Sequence, residues 1–167
     1  MIKSDALDFA IKHHGNQKYG DKPYACHLNK VVELATTHFA DSPEILSASA
    51  LHDVIEDTNI GYNKIAYHFG KEVAEIVYCV TDELGRNRKE RKEKTYPKIR
   101  RNWKATAVKL CDRIENVKES INNKDDIKLS MYKSEQKDFQ LNVKSSFHPV
   151  KLNELWDKLN QLLTQKL

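Results

Sequence analysis

Turn-forming residues are scarce in this sequence, which has four prolines and five glycines among 167 residues. An all-β sandwich or barrel needs many tight turns, so this scarcity argues against both classes. No apolar run approaches the ~20 residues that cross a bilayer. Residues 1–12 also lack the apolar stretch and small-residue cleavage site of a secretory signal. The sequence therefore predicts a cytoplasmic protein without a membrane partner.

Cysteine is scarce as well, since the chain has only Cys26, Cys79 and Cys111. Their odd number and wide spacing argue against a disulfide framework and against a zinc site built from cysteines. Isolated thiols of this kind are typical of a reducing compartment, which agrees with a cytoplasmic location.

Charge is abundant but uneven along the chain. Apolar residues make up 40% and charged residues 31%, which is typical of a globular protein, and the length predicts a single domain over residues 1–167. The net charge is +4, yet residues 86–104 alone carry ten Lys and Arg against two Glu. Such a segment indicates either a patch that faces an anion or the solvated face of a helix, and the sequence leaves both open.

Hydrophobic residues recur at helical spacing in nearly every segment, and no run alternates with a period of two. We therefore predict an all-α bundle of about seven to nine helices. Ser42-Pro43-Glu44 is typical of a helix start, and this helix is predicted to run without a break to about Thr58. Pro97 is predicted to interrupt the basic segment.

The densest group of titratable residues is His52-Asp53, followed by Glu56-Asp57. A continuous helix would place His52 and Glu56 on one face, and likewise Asp53 and Asp57. The neighbouring residues are apolar, so this acidic group is predicted to enter the protein. Charges in such a place need a metal ion or a shared proton.

Two further residues could complete a metal site, namely His27 at the start of a helix and Asp112 after an apolar stretch. Together with His52 and Asp53 they supply two imidazoles and two carboxylates. This mixed set suits Mn²⁺, Fe²⁺, Co²⁺ or Zn²⁺ better than Ca²⁺. Each of these residues alone is more typical of a structural role, so the hypothesis depends on the joint pattern.

The sequence resembles the HD-domain phosphohydrolases, specifically the hydrolase domain of the RelA/SpoT family and the small alarmone hydrolases. The similarity covers residues 5–120, whereas residues 121–167 match only in helical character. The matching blocks, in the family's order, are His13-His14-Gly15, Pro23-Tyr24-Ala25-Cys26-His27, Ala50-Leu51-His52-Asp53-Val54-Ile55-Glu56-Asp57-Thr58, Phe69-Gly70-Lys71-Glu72-Val73-Ala74, and Val108-Lys109-Leu110-Cys111-Asp112-Arg113 with Asn116.

This resemblance implies an all-α HD-domain helical bundle with one divalent ion, usually Mn²⁺. The implied reaction is hydrolysis of the 3′-pyrophosphate of guanosine tetra- or pentaphosphate, which gives GDP or GTP and pyrophosphate and belongs to starvation control. The residues that align with the family's functional positions are the metal ligands His27, His52, Asp53 and Asp112 and the catalytic pair Glu56 and Asp57.

Substrate contacts are expected from residues near these blocks. Asn116 aligns with an asparagine near the substrate's ribose or phosphate, and Lys109 and Arg113 flank Asp112. Lys18 and Tyr19 align with a basic pair of the alarmone hydrolases, commonly Arg-Lys, so one positive charge is kept and the second is either lost or moved to Lys22.

Three functions therefore remain open. The first is the alarmone hydrolase itself, and the second is an HD phosphohydrolase or phosphatase for another nucleotide, such as NADPH or a 3′-phosphorylated nucleotide. The third is a non-catalytic module that uses residues 86–104 to hold a nucleotide or RNA. The complete set of metal ligands favours an enzyme, so the expected partner is a nucleotide rather than a nucleic acid, and a homo-oligomer is compatible with the sequence.

Overall fold

The computed structural model describes residues 2–165, and within them the side chains of residues 5–165. This part of the chain is almost entirely helical, with one small antiparallel hairpin in which Lys18 pairs with Pro23. The elements are α1 (Ile2–His14), β1 (Lys18–Tyr19), β2 (Lys22–Pro23), α2 (Ala25–Phe39), α3 (Pro43–Leu51), α4 (Val54–Asp57), α5 (Tyr62–Phe69), α6 (Lys71–Val80), α7 (Arg88–Arg101), α8 (Trp103–Asn122), α9 (Asp126–Val143) and α10 (Leu152–Leu163).

The all-α prediction is confirmed, and α4 is a single turn beside nine longer helices within residues 2–165. Side-chain caps explain several of the helix starts. The Asn87 side chain accepts a hydrogen bond from the backbone of Glu90, and the Asn102 side chain accepts one from Lys104. Pro43 occupies the first turn of α3, as the sequence predicts.

Two predicted helix boundaries are wrong. The helix that begins at Pro43 does not run on without a break: α3 ends at Leu51, and α4 begins at Val54. Asp53 lies between them with φ −103° and ψ 0°. These angles are outside the α-helical region, so the backbone turns at Asp53. Pro97, in contrast, does not interrupt the basic segment, since α7 continues through it. Burial of Tyr96 and Ile99 on either side holds the helix together despite the lost hydrogen bond.

Helix α8 lies at the centre of the bundle, where it packs against α2, α3, α6, α7, α9 and α10. Residues from α1 to α10 contribute to one cluster of buried apolar side chains, so the C-terminal helices share the core of the motif-bearing part. Because α2 and α3 pack on each other and on α8, the polar residues at their contacts are brought together. Among residues 2–165, every helix is too short or too polar to span a bilayer.

We expect Phe139→Ala to lower the free energy of unfolding by about 3–5 kcal/mol, because it empties a buried space. Phe139 is 1% exposed, and its ring lies 5.1 Å from that of Trp156. Phe147→Ala is the matched control, since this phenylalanine is 96% exposed, and its effect should stay below about 0.5 kcal/mol. Urea denaturation followed by circular dichroism measures both. Equal effects would contradict the placement of α9 in the core.

Candidate active site

His27, His52, Asp53 and Asp112 meet where α2, the break after α3, and α8 come together. Potential ligand atoms of His27, His52 and Asp53 all lie within 4.8 Å of one another. The two imidazole Nε2 atoms are 3.3 Å apart, and Asp112 Oδ1 lies 3.2 Å from the Nε2 of His27 and 3.5 Å from that of His52. Asp53 Oδ2 lies 2.9 Å from His52 Nε2.

The hydrogen bond of His52 fixes which of its nitrogens faces the cluster. Its Nδ1 lies 2.8 Å from the carbonyl oxygen of Ser49, which can only accept, so Nδ1 carries the proton. In the neutral ring, Nε2 then offers a lone pair to the cluster. A metal-binding histidine typically donates its other N–H to a carbonyl or a carboxylate in this way.

His27 differs from His52, because its Nδ1 is buried and has no hydrogen-bond partner in the part of the chain that the structure describes. The ring is held instead by stacking on Tyr19, with centroids 4.6 Å apart and planes 19° apart. Two converging Nε2 atoms beside two carboxylate oxygens form a donor set that fits one divalent transition-metal ion.

The buried charges of this cluster strongly influence each other. Burial alone would lower the pKa of His52, but the carboxylates of Asp53 and Asp112 outweigh it and raise that pKa well above its usual value. Burial alone would raise the pKa of Asp112, but Lys109 and His52 hold it well below its usual range. The carboxylates are therefore ionised and attract positive charge to this point.

A second layer of hydrogen bonds orients the carboxylates. The hydroxyl of Tyr24 donates to Asp53 Oδ2. Asn116 Nδ2 donates to Asp112 Oδ1 over 2.6 Å, while Lys109 Nζ lies 2.9 Å from Asp112 Oδ2. Burial raises the pKa of Tyr24, and the Asp53 charge raises it further, so the phenol remains a donor.

A cavity of about 250 Å³ opens above this cluster. Glu56 and Asp57 stand at its rim, where the backbone N–H of Asp82 donates to Glu56 Oε1 over 2.9 Å and the Gln17 side-chain amide donates to Asp57 Oδ2 over 2.7 Å. Burial by the surrounding protein and the nearby charge of Asp53 raise the pKa of Glu56, although Lys109 opposes this.

Cationic side chains form one wall of the cavity. Lys109, Arg88, Lys92 and Arg113 all line it. Burial alone would lower the pKa of Lys109, but Asp112 and Glu56 outweigh it and raise that pKa, so Lys109 carries its charge. Arg113 is held by Glu135 and lies over the ring of Phe139.

The structure brings most of the predicted site residues together. The cavity lining includes the predicted residues His27, Asp53, Asp112, Glu56, Asp57, Lys109, Arg113 and Asn116, and His52 lies in the cluster below. Lys18 and Tyr19 do not line this cavity. Lys18 is exposed on β1, and Tyr19 contacts the site by stacking on His27 and through a 2.5 Å hydrogen bond from its hydroxyl to Asn116.

Sequence reasoning did not single out Arg88, Lys92, Asp82 or Gln17. Arg88 and Lys92 are four residues apart on α7, so a helical reading of the basic segment could have put them on one face. Asp82 and Gln17 lie outside the helices and offer no periodic signal.

The basic segment 86–104 is mostly neutralised within the molecule. Its ion-paired cations are Arg86 and Lys94 with Glu90, Arg88 with Glu135, Lys89 with Glu93, Lys92 with Asp82, Lys98 with Glu83, Arg101 with Glu75, and Lys104 with Glu44 and Glu72. The segment is therefore neither a uniform anion-binding patch nor a purely solvated face.

Comparison with known proteins places this geometry in a family. A model of the HD domain matches residues 6–139. The chain is 32% identical over 120 residues to the guanosine-3′,5′-bis(diphosphate) 3′-pyrophosphohydrolase MESH1 of Homo sapiens. This alignment covers 69% of the present chain and 67% of the human protein. The chain is 36% identical over 123 residues to the guanosine-3′,5′-bis(diphosphate) 3′-pyrophosphohydrolase of Aquifex aeolicus, covering 68% of this chain but only 17% of that longer protein.

Solved structures show the same fold. A metazoan orthologue of SpoT, reported to hydrolyse ppGpp and to play a role in starvation responses, superposes with a TM-score of 0.81 at 22% identity, covering 98% of this chain and 94% of that one. A protein of Listeria monocytogenes EGD-e gives a TM-score of 0.71 at 22% identity, covering 83% and 91%. The chain therefore belongs to the HD-domain family, among the relatives of the guanosine-3′,5′-bis(diphosphate) 3′-pyrophosphohydrolases.

Proposed function

We propose that this protein is a metal-dependent hydrolase that removes the 3′-pyrophosphate from guanosine tetra- or pentaphosphate and yields GDP or GTP and pyrophosphate. The observation that carries the proposal is the buried pair of Nε2 atoms, 3.3 Å apart, beneath a cavity with two carboxylates at its rim and cations in its wall. The names of the curated relatives support the same substrate.

His27, His52, Asp53 and Asp112 would hold the metal ion. Mixed nitrogen and carboxylate ligands suit several divalent transition metals, and of these we propose Mn²⁺, the ion that the family resemblance implies. A divalent ion held there would lower the pKa of a bound water molecule and polarise a phosphoryl oxygen. Tyr24, Asn116 and Lys109 orient the two carboxylates through the hydrogen bonds described above.

Glu56 and Asp57 are proposed to orient the attacking water and to accept its proton. The backbone N–H of Asp82 occupies Glu56 Oε1, so Oε2 remains available for that proton. A pKa above the usual value makes Glu56 a stronger base than an exposed glutamate. Asp57 keeps Oδ1 for the same water, because Gln17 occupies its Oδ2.

The cationic wall is proposed to balance the charge of the substrate's phosphates. Lys109, Lys92 and Arg88 line the cavity between the cluster and α7. Asn116 donates one amide hydrogen to Asp112, so its second amide hydrogen is available for the ribose or a phosphate. Lys18 is exposed, so we place its contact at the outer part of a bound nucleotide. We also propose a cytoplasmic location, since the three cysteines are free.

We expect the purified protein to convert ppGpp to GDP and pyrophosphate when Mn²⁺ is present, with the products resolved by anion exchange. EDTA should abolish turnover, because the buried carboxylates then lack the cation, and added Mn²⁺ should restore it. Asp53→Ala should remove the activity and weaken Mn²⁺ binding by at least about tenfold, since a ligand is lost.

Full activity of Asp53→Ala would contradict the metal site. If the protein hydrolyses NADPH or a 3′-phosphorylated nucleotide but not ppGpp, the proposed metal site stands and the proposed substrate is wrong. Binding of RNA without hydrolysis of any nucleotide would contradict the proposal that the protein is an enzyme. The ion pairs that the basic segment forms within the molecule argue against such binding.

Glu56→Gln should lower kcat by at least about 100-fold while Mn²⁺ affinity stays unchanged, because the variant loses a base and keeps every ligand. In the wild-type protein, kcat should fall as the pH decreases through a pKa above 4.5, since protonated Glu56 cannot accept a proton. The residual activity of Glu56→Gln should lack this acidic limb. An equal loss of Mn²⁺ binding would make Glu56 a ligand instead.

Lys92→Met should raise KM for ppGpp by roughly tenfold and make KM less sensitive to salt, because the substrate loses a cationic contact. Lys89→Met is the matched control from the same helix, since Lys89 is mostly exposed and does not line the cavity. Steady-state kinetics at two salt concentrations measure both variants. The same rise in KM for both would contradict the specific contact.

A further inference from the structure

The side chain of Gln17 joins a buried histidine to the rim of the active site. Its Oε1 lies 2.8 Å from His14 Nδ1, and its Nε2 donates to Asp57 Oδ2 over 2.7 Å. Gln17 and Asp57 are 40 residues apart in the sequence, so this contact is a feature of the fold rather than of local geometry.

The directions of these two hydrogen bonds follow from the chemistry of the groups. An ionised carboxylate only accepts, so the amide nitrogen of Gln17 faces Asp57 and its oxygen faces His14. His14 must then carry its proton on Nδ1. Its other nitrogen, Nε2, is buried and has no hydrogen-bond partner among the described residues, so the bond to Gln17 is the polar contact of this ring.

Gln17 is itself held on a rigid support. Its backbone N–H donates to the carbonyl of His14 over 3.1 Å, and its own carbonyl accepts from Tyr24 over 3.0 Å. The His14 ring packs on the Tyr24 ring with centroids 4.6 Å apart, and the Tyr24 hydroxyl donates to Asp53. The turn after α1 is therefore connected to a metal ligand through Tyr24 and to a rim carboxylate through Gln17.

The two rim carboxylates are held from opposite sides. Both residues are exposed; Glu56 accepts its hydrogen bond from the backbone of Asp82, whereas Asp57 accepts one from a side chain. An exposed carboxylate without such a bond samples several rotamers, and fixing one of them removes an entropic cost from the reaction.

We propose that Gln17 is a positioning residue for Asp57, and that His14 orients the Gln17 amide for this purpose. The inference rests on the proposed function to the extent that Asp57 acts in the hydrolysis. Among the described residues Gln17 belongs neither to the metal cluster nor to the cavity lining, and its side-chain amide contacts the lining at Asp57.

Gln17→Met keeps the length of the side chain and removes both polar contacts. We expect kcat to fall about tenfold, as for the loss of a hydrogen bond to a charged group, while KM and Mn²⁺ affinity stay within about twofold. In an Asp57→Asn background the same substitution should cost less than about twofold, because its target is already altered. Gln161→Met, at an exposed position on α10, is the matched control and should leave kcat unchanged.

His14→Phe tests the orienting contact, because phenylalanine preserves the packing on Tyr24 and cannot donate to Gln17. We expect kcat to fall about threefold, and the effect should disappear in the Gln17→Met background. Equal losses from Gln17→Met in the wild-type and Asp57→Asn backgrounds would indicate a structural role and overturn the proposal.

A spectroscopic readout separates this inference from the proposed function. The side-chain amide resonances of Gln17, identified by their absence from the ¹H–¹⁵N spectrum of Gln17→Met, should shift in Asp57→Asn and in His14→Phe. Unchanged resonances would overturn the contact whatever the substrate is. If the resonances shift but no nucleotide is hydrolysed, the contact stands, the proposed function fails, and the positioning role fails with it.

Discussion

The Asp112 carboxylate, buried between two imidazoles on the central helix, is the constraint on which the rest of the structure depends. Removing an isolated carboxylate from water costs several kcal/mol, so every neighbour must offset this cost. The Nε2 atoms of His27 and His52 lie 3.2 Å and 3.5 Å from its Oδ1, Asn116 donates a hydrogen bond to the same oxygen, and Lys109 donates one to Oδ2. The packing of α2 and α3 on α8 is thus specified by a polar contact as well as by apolar burial.

This concentration of negative charge also explains why the cluster suits a cation. Asp53 and Asp112 raise the pKa of His52, so they favour a positive charge at its Nε2. The other nitrogen of His52 already donates to Ser49, so a proton and a metal ion would compete for the same lone pair. A divalent ion would neutralise more of the charge of the two carboxylates than one proton does.

The sequence carries the information for helices and ligands better than for breaks and long-range pairs. Helical spacing predicts the all-α class, and the resemblance places His27 and Asp112 in one site although 85 positions separate them. The spacing of apolar residues does not predict the break in the helix after Leu51, because the apolar residues on both sides of the break follow one helical pattern. The pairing of the basic segment was also hidden, since its acidic partners come from α3, α6, α9 and the loop after α6.

The rim carboxylates show how the site separates positioning from charge balance. Glu56 and Asp57 are held by a backbone N–H and by an amide, both neutral donors. A cation in direct contact would hold either carboxylate as firmly, but it would lower the pKa and weaken the base. Lys92 forms an ion pair with the side chain of Asp82, and the backbone N–H of Asp82 donates to Glu56. Lys92 therefore lines the cavity without an ion pair to Glu56. Among the described residues no cation forms an ion pair with Glu56, and its pKa stays above the usual value.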